Sequence, residues 1–245
     1  MITVGCCGYP VRQKLYQEKF SVIEINSTFY NIPKETIAEK WQKEAPINFE
    51  FIIKASQFIT HPANSPTYRR SGRLSGNLKN YGYFQDTPEV FGAMEKTLKF
   101  SRYLNCQKIL LQTPTSFIPN YDNLKNLYNF FRKFKKLYYH WWQKFIFLLE
   151  VRGSQWTNQL RQKISDDLGV VPAIDPTVTA PLKCSFNYFR LHGKYSGGRI
   201  IYEHKFSETE LKKVLELCQK PINYVMFNNT NRWQDCQKFL ELISG

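Results

Sequence analysis

The 245-residue sequence predicts an α/β fold, a single TIM (β/α)8 barrel domain over residues 1–245. Eight short apolar runs rich in Val, Ile and Phe alternate with segments of helical periodicity, a pattern typical of parallel strands joined by helical crossovers. The chain length is usual for such a barrel. No GxGxxG or Walker-type phosphate loop follows any run, which disfavours the alternative of an open doubly wound sheet.

The predicted elements follow one another along the chain with no linker or repeat between them. The strands are expected at residues 2–6, 22–26, 49–54, 108–112, 145–152, 170–175, 188–192 and 224–228. The helices are expected at residues 34–43, 88–104, 121–142, 155–168, 207–219 and 232–244. Two helix starts carry clear signals, because Pro88 follows the capping residue Thr87 and Ser207 with Glu210 has capping-box spacing.

Two segments depart from the alternation. Residues 61–87 form a long loop without apolar periodicity, and a loop of this length in a barrel is usually functional or disordered. Residues 125–144 combine six basic residues and no acids with many aromatic side chains. We interpret this second segment as an amphipathic outer helix, with aromatic side chains facing the barrel and lysines facing water, although its composition would also suit nucleic-acid binding.

Composition limits the class of protein. Hydrophobic residues at 42% and aromatic residues at 16% are too abundant for a disordered chain, and no run approaches the roughly 18 apolar residues of a membrane span. The N-terminus has the pattern of a strand rather than a signal peptide, so we expect a cytoplasmic protein without a membrane partner. The six cysteines lack zinc-ligand spacing and are expected to be free thiols. The net charge of +14 favours anionic partners.

Polar residues recur at the carboxyl ends of the predicted strands. Side chains two residues apart share a face of a strand, and barrel enzymes place their functional residues at this end of the barrel. The shared polar faces carry Glu24 with Asn26, Glu150 with Arg152, and Arg190 with His192, while Lys54, Gln112, Asp175 and Asn228 end other strands and Cys6 ends the first. This rim predicts a polar, mixed-charge pocket, although a satisfied network of buried ion pairs would produce the same pattern.

The motifs around these residues resemble those of the YecE-like family, also called domain of unknown function 72. The similar segments are residues 23–30 (IEINSTFY), 51–61 (FIIKASQFITH), 110–117 (LLQTPTSF), 149–156 (LEVRGSQW), 190–193 (RLHG) and 227–229 (FNN). The resemblance covers essentially the whole chain and implies a TIM barrel, distantly similar in architecture to endonuclease IV and xylose isomerase. It implies no activity. Gly153 stands where the family commonly has a histidine, so any role of that imidazole is absent here.

The favoured hypothesis is a pocket that binds, or acts by acid/base chemistry on, a phosphate-containing anionic ligand. The loop of residues 193–199 follows strand seven, where barrels often bind phosphate. The candidate catalytic residues are Glu24, Lys54, Glu150, Asp175 and His192. The candidate substrate-binding residues are Asn26, Tyr30, His61, Gln112, Arg152, Arg190, Gly193, Lys194, Asn228 and Asn229.

Two alternatives remain open. A metal-dependent phosphodiesterase like endonuclease IV would need converging ligands, for which Glu24, His61, Glu150, Asp175 and His192 are candidates. A divalent metal is not favoured, because cations share this rim. A non-catalytic nucleic-acid-binding module would use the loop arginines Arg69, Arg70 and Arg73. The cofactor, if any, is not identified by the sequence.

Overall fold

The computed structural model describes residues 1–71 and 74–245, and its main feature is a closed barrel of eight parallel strands. The strands are β1 (Ile2–Cys7), β2 (Val22–Ile25), β3 (Glu50–Lys54), β4 (Lys108–Gln112), β5 (Ile146–Glu150), β6 (Val171–Ile174), β7 (Asn187–Leu191) and β10 (Asn223–Phe227). They follow chain order around the barrel, and β10 closes it by pairing with both β7 and β1. The predicted TIM barrel is confirmed.

Helices surround the barrel, as expected for crossovers between parallel strands. They are α1 (Gln13–Gln17), α2 (Ser27–Tyr30), α3 (Glu35–Glu44), α4 (Gln57–Thr60), α5 (Pro88–Tyr103), α6 (Tyr121–Leu137), α7 (Tyr139–Lys144), α8 (Asn158–Leu168), α9 (Glu208–Glu216) and α10 (Arg232–Ser244). Both predicted helix starts are confirmed: Thr87 accepts a hydrogen bond from the Val90 amide, and Ser207 and Glu210 form a capping box.

The segment at 121–142 is two helices rather than the one predicted. Tyr138, at φ −126° and ψ 41°, leaves the helical region and separates α6 from α7. Phe130, Phe131 and Phe134 on α6 are fully buried. Lys133 on the same helix forms an ion pair with Asp86 at the surface. This arrangement confirms the interpretation of α6 as an amphipathic outer helix.

A two-stranded antiparallel hairpin, β8 (Lys194–Ser196) with β9 (Arg199–Ile201), replaces the loop that the sequence predicted after β7. Gly193 connects β7 to this hairpin with a φ of +124°. A Cβ atom at Gly193 would lie 2.2 Å from the Ile201 carbonyl oxygen, so only glycine fits this close approach. Gly193 therefore sets the position of the hairpin beside the carboxyl end of the barrel.

The long loop after β3 is well tethered over its described residues. It contains α4 and two 3-10 turns, at Pro66–Arg70 and Leu78–Asn80. The Gly82 amide donates to the Phe58 carbonyl at 2.9 Å, and the Tyr68 hydroxyl donates to the His61 carbonyl at 2.9 Å. Arg73, one of the proposed nucleic-acid contacts, lies outside the described residues.

The barrel interior is apolar in its middle and polar at both ends. Side chains such as Val22, Ile52, Leu110, Leu148 and Met226 fill the middle and have little or no exposure. The amino end of the barrel is closed by a second polar group, in which Glu50 accepts hydrogen bonds from the Lys108 amine and the Tyr224 hydroxyl. Within the described residues, the helices are all too short or too polar to cross a membrane.

Candidate ligand-binding site

Arg190 forms the floor of the site at the carboxyl end of the barrel. Its Nε and Nη2 atoms donate to the two oxygens of Glu24, at 2.9 and 2.7 Å, in a bidentate pair. Its Nη1 atom donates to Glu150 and, at 3.2 Å, to Gln112. Tyr188 adds a hydroxyl hydrogen bond to Glu24 at 2.7 Å. Glu24 and Arg190 have no exposed surface, so neither is free to contact a ligand directly.

The sequence expectation for these two residues is therefore revised. Glu24 was a candidate acid/base and Arg190 a candidate ligand contact, because strand parity placed both on the inner face. The structure confirms that face but brings them together, so that each neutralises the other below the pocket. Their place in the structure supports a positioning role for both residues, because Arg190 holds the second oxygen of Glu150 from below and Glu24 holds Arg190.

Above this floor, Glu150 is held by three basic side chains. One oxygen accepts from Arg152 Nε at 2.7 Å and lies 3.4 Å from His192 Nε2, and the other accepts from Arg190. Burial by itself raises the pKa of Glu150, but Arg190, Arg152 and His192 together hold the pKa well below its usual range. Glu150 is thus a fixed negative charge rather than a group that exchanges protons near neutral pH.

Asp175 orients His192. One Asp175 oxygen accepts from the His192 backbone amide at 3.0 Å and lies 3.1 Å from the ring Nδ1 atom. The other oxygen accepts from the amide and hydroxyl of Thr177, at 3.0 and 2.6 Å. Asp175 and His192 therefore form a pair of the kind that fixes the orientation of an imidazole, with the second ring nitrogen directed towards Glu150.

Two cavities open above these groups and share Arg152. The first, of about 640 Å³, is lined by Tyr202 and by eight of the predicted site residues: Asn26, Tyr30, Lys54, His61, Arg70, Gln112, Arg152 and Asn228. The second, of about 510 Å³, is lined by Glu150, Arg152, Asp175 and His192, by Trp156 and by the hairpin residue Tyr195. Among the described charged residues and histidines that line the two cavities, Arg161 is the one that the sequence did not identify.

Cations dominate the first cavity, which we call the basic cavity. Lys54, Arg70 and Arg152 line it, and no Asp or Glu lines it among the described residues. The Lys54 amine lies 3.9 Å from the centre of the Phe29 ring. Burial and the charges of Arg190 and Arg152 lower the pKa of Lys54 to about 7.

His61 and Arg70 complete the wall of the basic cavity beside the long loop. Burial, with the nearby Lys54 and Arg152, lowers the pKa of His61 to about 3, so its imidazole is neutral at physiological pH. Arg70 is exposed, lies 4.3 Å from the centre of the Tyr30 ring and donates to the Tyr30 hydroxyl at 3.1 Å. Arg70, predicted as a nucleic-acid contact, is thereby placed in the same cavity as Lys54.

Other predicted site residues lie outside both cavities. Asn229 is buried, and its amide donates to Asp235 and to the His204 carbonyl. Lys194 lies exposed on the hairpin, Gly193 sets the hairpin connection, and Arg69 is exposed away from the lining. At the end of β1 it is Cys7, 3.7 Å from Arg190, that faces inward, whereas Cys6 packs in the outer layer beside α10.

Three residues of the candidate site were not identified from the sequence. Tyr188 shares the parity of Arg190 and could have been found by the same alternation. Phe29 and Tyr202 carried no such signal, because they come from a short helix and a loop whose positions only the folded chain defines. The Gly197-Gly198 pair between β8 and β9 is a sequence signal for a hairpin turn, and it could have distinguished this hairpin from the predicted loop.

The donor set does not suit a metal cluster. In the described ranges, no three His, Cys, Asp or Glu side chains converge in a way that could hold an ion. Glu24 and Glu150 are committed to arginines, and His61 lies beside cations rather than carboxylates. These residues do not fit the ligand sphere that a two- or three-metal phosphodiesterase requires.

The fold and the polar carboxyl end define this protein as a TIM barrel with a polar pocket at the carboxyl ends of its strands. A xylose isomerase domain containing protein from Salmonella typhimurium LT2 has a similar fold, with a TM-score of 0.61 at 13% identity over 99% of this chain and 95% of that one. A DUF72 family protein from Thermotoga maritima MSB8 is similar in fold over 100% of both chains, with a TM-score of 0.70 at 18% identity.

Residues 9–244 match the family described as "Protein of unknown function DUF72", and the chain belongs to that family. A curated relative, UPF0759 protein YunF of Bacillus subtilis (strain 168), is 26% identical over an alignment 277 positions long, covering 94% of this chain and 89% of the relative. The family membership expected from the sequence motifs is confirmed.

Proposed function

We propose that this protein binds a small phosphate-containing anion in the basic cavity and acts on it by acid/base chemistry. The observation that carries the proposal is the charge of the lining: Lys54, Arg70 and Arg152 face a cavity that no described carboxylate lines. An anion in that cavity would find donors of the type that holds phosphate in many proteins. A volume of about 640 Å³ suits a metabolite-sized ligand.

Lys54 is the best candidate for the acid/base group. A catalytic acid or base works best when its pKa lies near the working pH, and the pKa of Lys54 is lowered to about 7. Glu150 is kept ionised by Arg190 and Arg152, and Glu24 is sealed below the pocket. His192 and Asp175 line the adjoining cavity and could serve a second portion of the ligand.

The two alternative functions have weaker support. The metal-dependent phosphodiesterase would need ligands that do not converge in the described structure. The nucleic-acid module would need a broad basic surface, whereas Arg70 is directed against Tyr30 at the cavity and Arg69 is separate from it. A concave cavity of limited volume favours a small ligand over a polymer.

Calorimetric titration tests the proposal. The probes are inorganic phosphate, glycerol phosphate, sugar phosphates and nucleoside monophosphates, each paired with its unphosphorylated counterpart. We expect binding of at least one phosphorylated member, and a dissociation constant about tenfold higher in Arg70→Gln and Lys54→Gln, equivalent to about 1.4 kcal/mol. Lys99→Gln, on the outer face of α5, is the matched control and should bind like the unmodified protein. Equal affinity for the unphosphorylated partners would refute the proposal.

A further inference from the structure

Among the described residues the Lys54 amine has neither an ion-pair partner nor a hydrogen-bond acceptor, in contrast to the partly buried Lys108 and Lys220. In the described part of the chain no carboxylate forms an ion pair with it, and the amine lies over the face of the Phe29 ring. Lys108 starts the adjacent strand β4 and donates to Glu50 at 2.5 Å, while Lys220 donates to the carbonyls of Leu182 and Cys184 at 2.7 and 2.9 Å. The Lys54 amine, which faces the cavity, therefore lacks the acceptors that Lys108 and Lys220 have.

The surroundings of Lys54 oppose a permanent charge. Burial and the positive Arg190 and Arg152 lower the pKa of Lys54 to about 7. The negative charges of Glu24 and Glu150 raise it and the Phe29 ring also favours the ammonium form, but they do not outweigh the lowering. A lysine used only to hold an anion gains from staying charged. An amine that is neutral for half of the time near pH 7 is instead suited to be a nucleophile.

We propose that Lys54 forms an imine with the carbonyl group of a phosphorylated aldehyde or ketone bound in the basic cavity. This inference rests on the proposed function, since Arg152 and Arg70 would hold the phosphate group of the same ligand. The amine supplies the covalent site, the cations supply anion recognition, and the cavity brings both within reach of one small molecule.

The covalent step is balanced and needs no oxidant or reductant. The Lys54 nitrogen lone pair forms a bond to the carbonyl carbon, and the C=O π electrons move to oxygen. A proton passes from nitrogen to that oxygen, which gives a neutral carbinolamine. Protonation of the hydroxyl then allows water to leave as the C=N bond forms, and loss of the remaining N–H proton returns the proton used. Amine and carbonyl compound thus give imine and one water.

Two other residues of the cavity fit such a substrate. The Asn26 side-chain oxygen is buried and, among the described residues, lacks a hydrogen-bond donor, so a hydroxyl group of the ligand could satisfy it. His61 presents a neutral imidazole whose Nδ1 atom is 2.8 Å from the Thr60 hydroxyl. A hydroxyl-bearing carbonyl phosphate would therefore use the whole cavity rather than Lys54 alone.

Reductive trapping tests the inference with pyridoxal 5′-phosphate used purely as a reagent, because it carries both an aldehyde and a phosphate. The intact protein is incubated near neutral pH, the imine is reduced with borohydride, and the modified lysines are identified by peptide mass spectrometry. We expect Lys54 to be labelled at least about tenfold faster than Lys99 in the same sample, because a smaller fraction of Lys99 is neutral at this pH. Excess inorganic phosphate should slow the labelling of Lys54 and leave that of Lys99 unchanged.

Lys54→Arg is the matched variant, because it keeps a positive charge but cannot form the imine under these conditions. It should lose the adduct at position 54, while Lys99 in the same variant is labelled as slowly as in the unmodified protein. If phosphate compounds bind but Lys54 is labelled no faster than Lys99, the imine inference is wrong and the proposed function stands. If Lys54 reacts equally fast with pyridoxal, which lacks the phosphate, and phosphate does not compete, the phosphate site proposed above is wrong.

Discussion

Among the described residues, Arg190 is the largest side chain with no exposed surface, and it lies between the carboxylates of Glu24 and Glu150. A buried guanidinium is tolerated only when its donors are occupied, because an unpaired buried charge is strongly destabilising. Glu24 occupies two donors and Tyr188 orients Glu24 in turn. Arg190 is therefore neutralised by its carboxylates and adds no net charge to the pocket above it. The net positive charge there comes from cations without a carboxylate partner, and Lys54 is such a cation among the described residues.

Glu24→Gln tests the importance of this floor for stability. The substitution keeps the shape of the side chain but leaves Arg190 with one carboxylate instead of two, so we expect the free energy of unfolding to fall by roughly 3 kcal/mol. Urea denaturation measures the change. Glu35→Gln removes a carboxylate from an exposed ion pair with Lys99 and should have little measurable effect. Similar effects of the two substitutions would contradict the assignment of Glu24 to the floor.

Lys54→Met tests the lowered pKa of Lys54 through its effect on stability. Between about pH 7 and the ordinary lysine pKa of 10.5, the unfolded chain holds a proton on Lys54 that the folded protein has released. Stability contributed by this residue therefore rises with pH across that window, with a limiting slope of about 1.4 kcal/mol per pH unit. We expect urea denaturation at increasing pH to show this rise in the unmodified protein relative to Lys54→Met. Parallel pH profiles would show that the pKa of Lys54 is ordinary.

Among the elements, the strands were the most predictable and the connections the least. Alternation along β5 and β7 was sufficient to place Glu150, Arg152, Arg190 and His192 on the inner face. It failed in β1, because Cys6 and Cys7 are equally apolar and no polar residue marks the inward parity. Alternation also gives a face and not a partner, so the pairing of Glu24 with Arg190 from non-adjacent strands could not be read from the sequence.

Gly193→Ala tests whether the hairpin position depends on the absence of a side chain. Both Gly193 and Gly197 have positive φ, so alanine is strained at either position by about 1 kcal/mol. Only at Gly193 would the new Cβ meet backbone, 2.2 Å from the Ile201 oxygen, whereas nothing lies within 4 Å at Gly197. We expect Gly193→Ala to lower the free energy of unfolding by at least about 1 kcal/mol more than Gly197→Ala.

The hairpin also carries Tyr195, which lines the second cavity, so Gly193→Ala should weaken ligand binding as well as stability. Calorimetry with the phosphate compound that binds best measures this second effect. Gly197→Ala is again the control, and it should leave affinity unchanged. Equal stability and equal affinity of the two variants would indicate that the hairpin accommodates the added methyl group by moving.

For the whole molecule, which has a net charge of +14, two groups of cations can be distinguished by their positions. Lysines on the outer helices, such as Lys99, Lys133 and Lys163, form exposed ion pairs and lie on the side of the barrel wall. Lys54, Arg70 and Arg152 instead converge on one cavity. Composition predicted an affinity for anions, but only the fold shows which few cations surround a common volume, since they come from residues far apart in sequence.

Ionic strength distinguishes these two parts of the charge. Non-specific DNA binding depends on many phosphate contacts, and its affinity should fall by about a thousandfold or more between roughly 50 and 200 mM salt. A small phosphate compound in the basic cavity displaces few counterions, so its affinity should change only a few-fold over the same range. Lys54→Gln should weaken the affinity for the small phosphate compound, measured by calorimetry. It should leave the affinity for DNA, measured by fluorescence anisotropy, unchanged. If instead DNA competes with the small ligand and Arg70→Gln weakens both, the cavity is part of a nucleic-acid surface, because only a shared site couples the two affinities.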